Sequence, residues 1–130
     1  MILTIRTERP EASLCLVDEQ GGVAAAVEWQ GHRELSKTIL LKLQELLKSQ
    51  GTLLNQLSGV VVFKGPGSFT GLRIGITIAN TLAYSLGIPI VGAMGDSWQR
   101  DGARQIASGH NDTIVLPMYG AEANISTPKK

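Results

Sequence analysis

A chain of 130 residues can bury one modest core, and 43% hydrophobic against 18% charged residues is a globular composition, which excludes a disordered segment. A net charge of +1 lacks the basic excess of a stand-alone nucleic-acid binder, and no apolar run reaches the ~20 residues of a membrane span. The single cysteine, Cys15, excludes an internal disulfide; its place in an apolar alternation reads as a buried, inert thiol. Met1 leads directly into a strand-like run with no basic region and long apolar stretch before it, so the expected location is cytoplasmic. Arg100 and Arg104, one helical turn apart, and Lys129 and Lys130 read as a solvated face and tail, so no nucleic-acid binding by the chain alone is expected.

Met1 to Arg6, Ala12 to Val17 and Val23 to Trp29 read as three strands. The loop Asp18 to Gly22 makes the last two a hairpin and the three an antiparallel meander. From Glu34 to Ser49, Ile39, Leu43, Leu46 and Leu47 recur at helical steps opposite Lys37, Lys42, Gln44, Glu45 and Lys48, and Gly51 stops the helix. Leu35, Leu40 and Leu41 widen its apolar surface beyond one stripe. Gly59 to Phe63 is a continuous apolar run, as in a strand covered on both faces. A second helix from Ser68 or Thr70 to Leu86 ends at Gly87, and Ile88 to Gly92 supplies a fifth strand.

The order β-β-β-α-β-α-β predicts a single α/β domain on the ribonuclease H-like plan shared by actin, Hsp70 and sugar kinases: a mixed five-stranded sheet with flanking helices. Residues 1–95 form its core. Beyond it, Ser97 to Ser108 reads as a short helix with Trp98 and Ile106 inward, Thr113 to Leu116 as one more strand, and the residues from Gly120 as a polar tail.

The run Gly65-Pro66-Gly67-Ser68-Phe69-Thr70-Gly71-Leu72-Arg73-Ile74-Gly75 is the most informative stretch. A glycine-rich strand-to-helix turn suits an anion, yet the spacing matches neither the P-loop nor the dinucleotide fingerprint. Within the second helix Gly71, Gly75, Ala79 and Ala83 fall on one face at four-residue steps. Helical glycine costs roughly 1 kcal/mol relative to alanine, so close approach of another element must offset it. That element is either the domain's own sheet or a partner. Because Phe69, Ile76, Leu82 and Leu86 offer large apolar groups to the sheet, the small stripe and the over-wide leucine helix together favour a partner.

The same run is similar to the signature of the TsaB family, and the likeness extends from Met1 to about Gly92, including Ile88-Pro89-Ile90-Val91-Gly92. TsaB pairs with the threonylcarbamoyltransferase TsaD in modifying the adenosine beside the anticodon of transfer RNA. The resemblance implies a catalytically inert scaffold subunit, without cofactor or metal, whose two helices bundle with those of a TsaD-like partner or, in its absence, with a second copy. The expected contact residues are Leu35, Ile39, Leu43, Phe69, Gly71, Leu72, Gly75, Ala79 and Ala83.

Three departures stand out. The family's first strand ends in Asp-Thr-Ser, where this chain has Arg6-Thr7-Glu8, and a cation at that place cannot supply a hard oxygen ligand to Mg²⁺. Its first helix opens with Arg-Glu-His, where this chain has Arg33-Glu34-Leu35. Finally, 130 residues leave no room for the family's second domain, while Leu116-Pro117-Met118-Tyr119 resembles the Pro-x-Tyr near its C-terminus, which suggests an internal deletion. The alternative function is a small nucleotide-binding ATPase-like domain using the 65–71 loop and Glu8. His32 and His110 lack a close-spaced ligand partner, Asp96, His110 and Asp112 read as loop polar residues, and no protease constellation is present.

Overall fold

The computed structural model describes residues 1–31 and 34–119. The elements follow the predicted order: β1 (Ile2–Arg6), β2 (Glu11–Val17), β3 (Val23–Gln30), α1 (Leu35–Ser49), β4 (Gly59–Phe63), α2 (Phe69–Leu86), β5 (Ile90–Ala93) and α3 (Trp98–Ala107), with a short 3₁₀ turn at Leu54–Gln56. The strands form one sheet in the order β3-β2-β1-β4-β5. β1–β2 and β2–β3 are antiparallel, while β1–β4 and β4–β5 are parallel.

Side-chain alternation along β1 assigns the layers. Leu3, Ile5 and Thr7 point to the face that carries α1 and α2; Ile2, Thr4 and Arg6 point to the face that carries α3. On the α3 side, Gln99 Nε2 donates to Thr4 Oγ1 at 3.0 Å, and the backbone of Gly102 lies close over Val61. On the other side, α1 covers the meander and is tied to it by Trp29 Nε1 donating to Thr38 Oγ1 at 2.9 Å. β4 is buried along its whole length, as its unbroken apolar run predicts. β3 has only a half-covered face, because no described element packs on the side that Ala24, Ala26, Glu28 and Gln30 occupy.

α1 buries Leu35, Ile39, Leu43, Leu46 and Leu47, each worth about 1.5–3 kcal/mol by transfer from water. α2 stops at Gly87, whose φ of 66° lets its amide turn back to Tyr84 O. β5 begins two residues later than predicted. The Ile88 amide is still used by Ala83 O in closing the helix, and Pro89 has no amide to give.

The strand predicted at Thr113 to Leu116 does not form. Residues 110–119 run as an extended strap over α2, β4 and β5, and Thr113 has a φ of 69°. Val115 is its buried anchor, seated against Gly92. Among the described residues no helix is long and apolar enough to cross a membrane. His32, Arg33 and the polar tail from Gly120, with Lys129 and Lys130, lie outside the described residues.

Candidate partner-binding surface

The glycine-rich turn opens at the carboxyl end of β4, next to the end of β1, where parallel α/β sheets place their ligands. Here the chain's own backbone takes up the close approach to the glycines, beside an open pocket of about 270 Å³ lined by Thr7, Glu8, Ser68, Thr70 and Gly71. A Cβ at Gly67 would overlap the Glu8 side chain, and one at Gly71 would overlap the Thr7 carbonyl oxygen. Ser68 N donates to Glu8 O at 3.2 Å, and Thr7 Oγ1 donates to Gly71 O at 2.6 Å. The glycines therefore admit the backbone that continues β1.

Arg6 and Glu8 close the same end of the sheet. The guanidinium donates to both carboxylate oxygens, through Nε at 3.0 Å to each and through Nη2 at 2.7 Å to Oε2. It also lies 4.1 Å from the centroid of Phe63, which meets Trp98 edge to face at 5.7 Å. Glu8 is thus engaged by a cation in a mostly buried pair, not free to hold a metal. Among the described residues no three His, Cys, Asp or Glu side chains come together as a metal site, and Asp96 takes no part in the His110–Asp112 pair.

The small-residue stripe of α2 faces inward. Gly75 lies directly on Thr7, and Leu72, Ile76, Ala79 and Ala83 are buried with it against the sheet. Of the nine expected contact residues, Leu35, Ile39, Leu43, Leu72, Gly75, Ala79 and Ala83 are buried within the monomer, although Leu43 reaches the groove between the helices; Gly71 is half-buried. The inward turn of the stripe has a physical reason. The element demanding close approach is the end of β1, and small side chains let α2 sit down on it. Phe69, expected to serve the sheet, is instead 54% exposed, stacked on Tyr119 at 4.7 Å and topped by Arg73.

The exposed flank of the helix pair carries different residues. Ile74, Ile78 and Leu82 of α2 are half-buried at four-residue steps and border the cleft between the helices. Toward the ends of α1 the cleft widens into a groove of about 590 Å³ lined by Leu40, Leu53, Leu54 and Leu82 and floored by Leu43 and Leu47. Toward the helix starts it continues past Ser36, Thr70, Arg73 and Thr77. The sequence reading missed this stripe, although its own four-residue repeat was the signal. Leu40, noted as surplus, is 51% exposed beside it.

Residues 8–94 match the family model of TsaD, described as tRNA N6-adenosine threonylcarbamoyltransferase. Over 128 positions the chain is 37% identical to the tRNA threonylcarbamoyladenosine biosynthesis protein TsaB of Escherichia coli, covering 93% of this chain and 54% of that protein. The chain belongs to the TsaB branch of the TsaD family.

The TsaB of Bacillus subtilis is 32% identical, covering 92% of this chain and 50% of its own length. A solved structure, YeaZ from Pseudomonas aeruginosa, superposes with a TM-score of 0.65 at 26% identity, covering 72% of this chain and 43% of that one. The mixed sheet with its flanking helices is accordingly the ribonuclease H-like fold of that family. The chain spans about half the length of the curated TsaB relatives it matches. A match that takes in 93% of this chain must run through residues 115–119, and its 128 positions leave only a few for gaps. The expected internal deletion is therefore overturned: the closing Pro-x-Tyr aligns within the same half of the relative as everything before it.

Proposed function

We propose that this TsaB-like chain is a non-catalytic interaction subunit in threonylcarbamoyladenosine modification of transfer RNA. It docks α1 and α2 against the corresponding helices of a TsaD-like threonylcarbamoyltransferase, or against a second copy when that partner is absent. The observation that carries this reading is the Ile74–Ile78–Leu82 stripe, which lies with Leu40 along an apolar cleft on the outer side of the helix pair. Apolar surface of this extent and continuity marks a protein contact. Supporting it is the family match, which includes proteins named for the transferase itself: residues of this chain are 36% identical over 72 positions to the tRNA N6-adenosine threonylcarbamoyltransferase of Geotalea uraniireducens.

The contact would use Ile78 and Leu82 as anchors, with Arg73 and Thr77 at its polar rim. Co-purification and light scattering with and without a TsaD-like partner test it. Ile78→Glu should abolish association while leaving the circular dichroism spectrum unchanged, because Ile78 is only half-buried. Association that survives this substitution would refute the surface.

A further inference from the structure

β5 is an edge strand, and the backbone groups it turns away from β4 are those of Ile90 and Gly92. The parallel ladder uses the alternate set, with Val60 N donating to Pro89 O and Lys64 N to Ala93 O. Three of the four outward groups are taken by two consecutive residues of the strap. Ile90 N donates to Asn111 Oδ1 at 3.0 Å, Gly92 N donates to Asp112 Oδ2 at 2.8 Å, and Ile90 O accepts from Asp112 N at 2.8 Å. The two side-chain oxygens thus stand where the carbonyls of a sixth strand would stand, and the Asp112 backbone amide where one of its amides would.

The supports of this arrangement are themselves specific. Asn111 Oδ1 also accepts from Thr113 N at 2.9 Å, and His110 Nε2 pairs with Asp112 Oδ1 at 2.7 Å. Farther along, the Asn80 amide brackets Val115, donating to its carbonyl at 3.0 Å and accepting from its amide at 2.9 Å. The strap is held mainly through polar and backbone contacts, while Ile114, Leu116 and Met118 point outward and are exposed.

We propose that Asn111 and Asp112 are an edge cap, and that the surface they close is a strand-pairing site for the β5 edge of a second copy of this chain. A second copy is the fitting occupant because this edge is self-complementary. An antiparallel pair centred on Val91 sets Ile90 opposite the copy's Gly92 and Gly92 opposite the copy's Ile90. Each such pair exchanges two hydrogen bonds, and a two-fold axis closes the assembly. β5 is Ile-Val-Gly-Ala, with no charge to repel its copy, whereas β3 at the far edge carries Glu28. Uncovered apolar edges of this kind pair unless something blunts them.

The test is made in the Ile78→Glu background, so that association through the helix pair does not enter the readout. In the 130-residue chain carrying Asn111→Ala and Asp112→Ala, amide hydrogen exchange at Ile90 and Gly92 should accelerate by about tenfold at low concentration, the loss of roughly one net hydrogen bond each. Val61 and Val62 should stay protected. At high concentration light scattering should show a doubled mass, with Ile90 and Gly92 protected again. Unchanged exchange at those two amides would remove the cap, and faster exchange with an unchanged mass would remove the pairing site. If the double variant fails to fold, Asp112→Ala alone gives the same two readouts at Gly92, while Asp112→Asn, which keeps an acceptor, should leave Gly92 protected.

Discussion

The Thr7 hydroxyl and the Gly71 carbonyl, 64 residues apart in sequence, are joined by a 2.6 Å hydrogen bond that pins the first turn of α2 to the end of β1. One turn later Gly75 rests on the same threonine, with no room between them for a methyl group. A side chain at Gly75 would therefore act on the fold itself. Gly75→Ala should lower stability by about 1–3 kcal/mol through overpacking. Gly75→Leu should fail to fold instead of yielding a folded, partnerless chain. In a Thr7→Ala background the alanine at position 75 should cost markedly less, because the two nearest atoms it meets, the Thr7 Oγ1 and Cγ2, are gone. Urea denaturation of the four chains of that cycle measures the coupling, and simple additivity would show that the contact is not the cause.

Arg6 and Glu8 make a second prediction. Removing the guanidinium leaves the Glu8 carboxylate mostly buried without its three hydrogen bonds. Arg6→Ala should therefore destabilise the chain by about 2 kcal/mol or more, and more than Arg6→Met/Glu8→Leu, in which no charge is stranded. Because Arg6 engages the Glu8 carboxylate and puts a cation where a metal-holding aspartate would be needed, calorimetry with ATP and Mg²⁺ should register no heat for the wild-type chain. Binding with a measurable heat would reinstate the nucleotide reading.

Much of this architecture can be read in the sequence where one periodicity dominates. The unbroken run Gly59 to Phe63, the four-residue apolar repeat of α1 and the terminating Gly87 each have one structural meaning, and the elements form where they imply. The stripe Gly71/Gly75/Ala79/Ala83 does not have one meaning. Spacing reports that something approaches closely, and it cannot report whether that something is a partner helix or Thr7 just past the end of β1. The outer stripe Ile74/Ile78/Leu82 was obscured because α2 is apolar on both flanks, so periodicity alone does not separate sheet-facing from outward positions. The false strand at Thr113 to Leu116 has a different origin. Its alternation is real, with Val115 buried between exposed Ile114 and Leu116, but the neighbour that satisfies Val115 is the side chain of Asn80 and not a strand.

Asn80 supplies the third prediction. A primary amide can give and accept at once, and Asn80 does both with the backbone of one residue. Asn80→Ala should cost about 1–2 kcal/mol and raise hydrogen exchange at Val115. Asn80→Asp should be at least as damaging at neutral pH although it is nearly isosteric, since a carboxylate can accept from Val115 N but meets the Val115 carbonyl oxygen with a second acceptor. Equal stability of the aspartate variant and the wild type would mean that the bracket does not hold the strap.

Asp112 gives the strap a pH dependence whose direction is fixed by its surroundings. Burial alone would raise its pKa. The Gly92 amide, the hydrogen bond and charge of His110 and the charge of Lys64 outweigh that effect and hold the carboxyl below its ordinary 3.8. A folded-state pKa lower than the unfolded one means that the ionised form favours the closed strap. Its contribution is fully present above the unfolded value and is lost as the pH falls through the folded one. Titration from neutrality to about pH 5 should therefore leave the Asp112 contribution intact, and the loss should appear only below about pH 4. Asp112→Asn retains an acceptor for Gly92 N but no charge, so its stability curve should lack that acid limb. The measurement is thermal stability across the acid range for both chains: the wild-type advantage should be constant at higher pH and vanish in acid. A difference that stayed level throughout would show that the Asp112 charge plays no part in holding the strap on β5.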